Sequence, residues 1–202
     1  MTNRFTRLAG LFGIVSPIVT LTLIFSAIAQ SPWFSWHDNA LSDMGVSQTP
    51  NPFNAALLIG GLTYLMFVVG FLRWLGLTSA LSKLAAVFML AAGIGLTLVG
   101  IVTEAAGDIH DALAATYFLV TPMAYGLFGI ELVRRGARLR GALTIAAGVA
   151  ALLLITVVPH KRIAVPEILA TVIFAAWTFS SGMMMLIEPE KDHEQAHAPN
   201  SR

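Results

Sequence analysis

The chain has 202 residues, 56% of them hydrophobic and 11% charged, with a net charge of +1 and no cysteine. Soluble domains carry about 25% charged residues, so a chain this apolar takes lipid as its solvent. Disulfides, thiolate nucleophiles and cysteine-ligated zinc are excluded, and the lack of a basic patch with interleaved aromatics excludes nucleic acid as a partner.

Only helices and closed barrels satisfy their backbone groups inside a bilayer. The apolar runs here are unbroken over about 20 residues, enough for a helix to cross ~30 Å of hydrocarbon. They lack the polar–apolar alternation over about ten residues that marks barrel strands. The expected fold is an all-α integral membrane bundle of six transmembrane helices. The spans fall near 8–29, 54–75, 81–103, 112–133, 141–158 and 166–187, so that residues 1–187 form the transmembrane domain and 188–202 a polar, disordered tail.

The first span follows Arg4 and Arg7 and ends in Ala27-Ile28-Ala29, features shared with signal peptides. Its apolar run exceeds the roughly 7–15 residues of a signal-peptide core, and it is read as a retained span. The longest connection follows, residues 30–53. Trp33, Phe34 and Trp36 suit a headgroup interface. His37–Met44 is expected to form a short helix closed by Gly45 in a left-handed cap, with Asn39 and Asp43 sharing a face.

The third loop packs Glu104, Asp108, His110 and Asp111 between two spans. Asp108 and Asp111 are expected to cap the fourth span, whereas Glu104 and His110 have no such routine duty. In the fifth loop His160, Lys161 and Arg162 precede Pro166-Glu167, an ordinary helix start. Pro17 and Pro122 interrupt spans 1 and 4. The tail places His193 and His197 four residues apart and is read as solvated.

Of the twelve Lys and Arg residues, only Lys161 and Arg162 fall in loops 1, 3 and 5. The excess of positive charge in the other connections puts both termini in the cytoplasm and the protein in the cell membrane. Loop 1 then caps the bundle on the outer side. His37, Asp43, Glu104, His110, His160 and their neighbours gather on that face.

The pattern Asn39-x-x-Ser42-Asp43-Met44-Gly45, with Phe53-Asn54 entering span 2 and His110 opening span 4, resembles the multi-pass membrane family known as domain of unknown function 998. The resemblance covers nearly the whole chain and implies six spans with Asn39, Ser42, Asp43, Gly45 and His110 at motif positions. It implies no activity. The shorter Ser42-Asp43-x-Gly45 is distantly similar to the first loop of the damage-regulated autophagy modulators.

Three functional readings follow. In the first, membrane lipids are the partners. A lipid headgroup or small polar ligand binds at the outer face, oriented by Asn39, Ser42, Asp43 and His110, with Lys161 and Arg162 on a phosphate. In the second, a metal-dependent hydrolase acts on a lipid or acyl substrate at the outer interface. His37, His110 and His160 would then hold zinc, with Asp43 or Glu104 as base. In the third, a small transporter has a midplane cavity lined by the kinks at Pro17 and Pro122.

Overall fold

The computed structural model describes residues 4–157 and 164–188. Regular structure among them is entirely helical: α1 (Arg4–Ala29), α2 (Asn51–Leu75), α3 (Ala80–Val99), α4 (Asp108–Arg134), α5 (Arg138–Val157) and α6 (Ala164–Ile187). Two 3-10 turns, Ser42–Val46 and Glu104–Ala106, lie in the loops after α1 and α3. All six helices are long and apolar enough to cross a membrane. His160, Lys161 and Arg162, and the tail with His193 and His197, lie outside the described residues.

Local chemistry sets the helix ends. Ser79 and Ser82 form a reciprocal cap at the start of α3, each backbone N–H donating to the other's hydroxyl. Pro52 sits in the first turn of α2, where its missing N–H costs nothing. Beyond α4, Gly136 takes φ 87°, and the N–H of Ala137 reaches back to the Leu132 carbonyl, a helix stop that requires a residue without a Cβ. Pro17 and Pro122 lie within continuous helices.

Each helix packs against its neighbours in sequence, and α6 closes the ring against α1. Lipid tails are as apolar as leucine, so association in a bilayer rests on close packing and interhelical hydrogen bonds. Small residues supply the close packing. On α1, Gly10 and Gly13 meet the backbone of Gly182 on α6, and Gly129 and Gly141 let α4 and α5 touch backbone to backbone. A Cβ on Gly141 would stand 2.6 Å from the Gly129 carbonyl oxygen. Between α1 and α2, Ser16 Oγ donates to the Gly60 carbonyl at 3.0 Å.

The even-numbered helices carry an aromatic core. On α2, Tyr64, Phe67, Phe71 and Trp74 recur at helical spacing and are all buried. They meet Tyr117, Tyr125 and Phe128 of α4 and Phe174 and Trp177 of α6. Tyr125 and Trp177 lie 4.3 Å apart between centroids, and Phe71 meets Trp177 edge-to-face at 5.5 Å. Aromatic pairs of this kind add about 0.5–1.5 kcal/mol each beyond area burial. Outward positions are apolar as well: Leu8, Leu11, Val15 and Ile18 line one exposed stripe of α1, as lipid contact requires.

Candidate functional site

Loop 1 crosses the end of the bundle from α1 to α2 and is bonded to α6. The Ala164 N–H donates to the Asn39 carbonyl at 3.2 Å, and the Leu41 N–H donates to Glu167 Oε2 at 2.9 Å. The Asn54 amide of α2 donates to the Gly45 carbonyl at 3.0 Å. A Cβ on Gly45 would lie 2.6 Å from Asn54 Oδ1. The motif residues of loop 1 therefore hold the starts of α2 and α6 together.

The expected helix over 37–44 does not form. Ser35 Oγ donates to Asp38 at 2.7 Å and accepts from the His37 N–H, while Asn39 Oδ1 accepts from the Ser35 N–H. These local side-chain bonds outcompete the helix, and the ordered turn starts only at Ser42. Gly45 has no left-handed backbone; it lies inside the turn, and its constraint is space beside Asn54 and Phe53. Asn39 and Asp43 do meet, without a helix: Asn39 Nδ2 donates to Asp43 Oδ2 at 2.6 Å, and the Ala40 N–H adds a second bond at 3.2 Å.

The third loop brings the second half of the site. Glu104 sits in its own 3-10 turn against Ser42 and Asp43, with Oε2 buried and lacking a hydrogen-bond partner. Burial, then the negative charge of Asp43 and a hydrogen bond shared with its carboxyl, hold the Glu104 carboxyl above the ordinary range; His110 and a hydrogen bond with Ser42 act the other way. His110 is 3% exposed, and its Nδ1 lies 2.7 Å from the Val102 carbonyl. A carbonyl only accepts, so Nδ1 carries the proton, and in the neutral ring Nε2 is left as an acceptor. Asp108 and Asp111 occupy the first turn of α4 but make no side-chain cap there, because Gly107 with φ 57° starts the helix. Their carboxylates favour the positive helix end by charge alone.

Two adjoining spaces open from these groups. A small cavity of about 50 Å³ lies between His110, Glu167, Ser42 and the apolar side chains Ile24, Leu57 and Phe118. A cleft of about 540 Å³ has Ser42, Glu104, His110, Asp111 and Glu167 at its polar end and Ala114, Phe118, Leu119 and Ile155 along its wall. Glu167 touches both. Its place in an ordinary Pro-Glu helix start conceals it in the sequence. The structure thus brings Ser42, Asp43, Glu104 and His110 together, and places Asn39 behind them as a support for Asp43. His37 is exposed. Among the described residues no three His, Asp or Glu side chains are arranged to hold a metal ion.

A third cavity, of about 30 Å³, lies deeper among Ser16, Pro17, Thr20, Tyr64, Thr121 and Tyr125. It is lined by hydroxyls and large enough for about one water. Pro122 faces α5 instead, with its carbonyl against Gly148.

At the opposite end of the bundle, Glu131 is buried and bonded to Arg135 at 2.7 Å and to the Ser79 hydroxyl at 2.8 Å. Arg135 also donates to the carbonyls of Leu75 and Gly76. This network ties the end of α4 to the α2–α3 connection and satisfies helix-end carbonyls that would otherwise be orphaned.

Helical spans, an apolar outer surface and polar loops at the two ends of the bundle define a multi-pass membrane protein. The family described as "Protein of unknown function (DUF998)" matches residues 14–184, and the chain belongs to that family. Neither a curated protein nor a solved structure matches the chain. The likeness to the autophagy modulators therefore rests on the Ser42-Asp43-x-Gly45 residues alone.

Proposed function

We propose that this protein binds a membrane lipid, or a small amphiphile of the same build, in the cleft between loop 1, α4, α5 and α6. The observation that carries the reading is the cleft's polarity: hydrogen-bonding groups converge at the loop end, and an apolar wall of Ala114, Ala115, Phe118 and Leu119 runs from them along α4. Pockets of about 300–1,000 Å³ with a few convergent polar groups are the usual form of a small-molecule site. Ser42, Glu104, His110 and Glu167 recognise the headgroup, with Asn39 and Asp43 fixing the loop that carries Ser42. Lys161 and Arg162 belong to the short connection between two helices that line the cleft, and supply the positive charge for a phosphate. The distribution of Lys and Arg supports an outward-facing cleft in the cell membrane, with both termini cytoplasmic.

The test is the lipid retained through gentle detergent purification, identified by mass spectrometry. Ala114→Trp, which fills the cleft wall, is expected to lose a lipid species that the parent retains, at an unchanged melting temperature. Glu104→Gln is expected to change its abundance. Identical lipid inventories in all three proteins would sink the reading.

A further inference from the structure

A second space lies at the opposite end of the bundle, between α2, α4, α5 and α6, and owes nothing to the loop 1 cleft. It measures about 260 Å³ and is walled by Phe71, Trp74, Phe128 and Trp177, with Arg140 and Thr144 at its α5 side. Leu143, which also lines it, is 62% exposed, so the pocket opens on the flank of the bundle. We infer that this pocket holds one acyl chain of an anionic amphiphile whose head is taken by the Arg140 guanidinium.

Two observations combine. The walls are rigid: Phe71 meets Phe128 at 5.1 Å and Trp177 edge-to-face at 5.5 Å, and Trp177 Nε1 is pinned by its bond to Thr144 Oγ1 at 3.1 Å. Such a space stays open because its walls cannot collapse into it, and its size suits one chain rather than two.

Arg140 presents its two-nitrogen fork to the carboxylate of Glu188, at 3.0 Å from Nη1 to Oε2, with a second, shorter bond from Nη2. That fork fits a phosphate or carboxylate equally well. Glu188 therefore occupies the place an anionic head would take and competes with it. The surrounding charge agrees, since Arg73, Arg134, Arg135 and Arg138 all fall at helix ends on this side.

Quenching of tryptophan fluorescence by brominated chains reads the pocket directly. In a Trp33→Phe, Trp36→Phe background the remaining indoles, Trp74 and Trp177, both line it. The protein would sit in phosphatidylcholine nanodiscs and be titrated with brominated phosphatidylglycerol, brominated phosphatidylcholine or brominated stearic acid. The expected result is saturable quenching by an anionic amphiphile at about fivefold lower mole fraction than by phosphatidylcholine, the upper range for a partly exposed ion pair. Whichever anionic compound has the lower half-point identifies the source as phospholipid or free fatty acid.

Arg140→Gln is expected to bring that half-point up to the phosphatidylcholine value, with the exposed Arg138→Gln within about twofold of the parent. Glu188→Gln is expected to lower it, because the competing carboxylate is gone. A merely structural Arg140–Glu188 pair predicts the same effect from both partners. Equal half-points for anionic and zwitterionic lipid, or a Glu188→Gln half-point unchanged or raised, overturns the inference even if Arg140→Gln fails to fold.

Discussion

Glu104 is the residue whose chemistry is least settled by its own neighbours. Its Oε2 is buried without a partner, and the Asp43 carboxylate faces it. Both effects favour the protonated form, so the folded protein holds a proton that the unfolded chain, with an ordinary value of 4.5, has already released. Unfolding then releases a proton over the window just above that value. The stability contributed by the group is complete below the unfolded value and is lost as pH rises through the folded one. Glu104→Gln removes this loss. Its melting temperature should match the parent near about pH 4 and exceed it near about pH 7.5. Melting curves at the two pH values decide it, and a variant no more stable at the higher pH would mean that the carboxylate is compensated. A ligand donating to Glu104 would abolish the same difference in the parent.

Among the elements, α5 depends on few interactions. Only Gly141, Thr144, Gly148 and Ala151 of this helix are buried, and the contact with α4 runs through Gly129, Gly141 and Gly148. Gly129→Leu should separate α5 from α4, because a Cβ there already meets the Gly141 carbonyl oxygen at 2.7 Å. Gly126, three residues earlier on the same helix, has nothing within 4 Å of its Cβ position. Gly126→Ala should therefore be stabilising by about 0.5–1 kcal/mol, since alanine is the better helix former. Detergent unfolding of the pair gives the comparison; equal behaviour would show that α4 and α5 are not held by this contact. The cleft and the aromatic pocket both lie beside α5, one at each end of the helix. A loosened α5 is thus expected to alter both.

For the whole molecule, the ring of helices puts loop 1 and the Glu104 turn at one end and the Arg-rich connections at the other. The natural absence of cysteine makes the orientation measurable with single substitutions. Gln48→Cys in loop 1 should react with a membrane-impermeant thiol reagent on intact cells. Arg138→Cys should react only after permeabilisation. The reverse pattern would place the cleft on the cytoplasmic side and require the lipid reading to be recast for the inner leaflet.

Much of this organisation is legible in the residues alone. Apolar runs of bilayer length leave the backbone no choice but helix, so span number follows from solvent physics without any knowledge of packing. The spacing of Asn39 and Asp43 is legible because those two side chains bond four residues apart within the same loop. Helix neighbours, by contrast, are chosen by surface fit. Nothing local marks Glu167 as a partner of Leu41, since Pro-Glu is an ordinary helix start and the bond spans most of the chain. Gly45 looks like a cap residue in sequence, yet its role is to admit Asn54, which only tertiary proximity reveals. The same holds for the aromatic core. The spacing from Tyr64 to Trp74 marks one face of a helix, but whether that face meets lipid or Trp177 is decided by how small residues let the helices approach. Composition and run length thus settle the solvent, the helices and the polar loops. Which of those polar groups meet depends on how the helices pack, because their contacts are made across helices rather than along them.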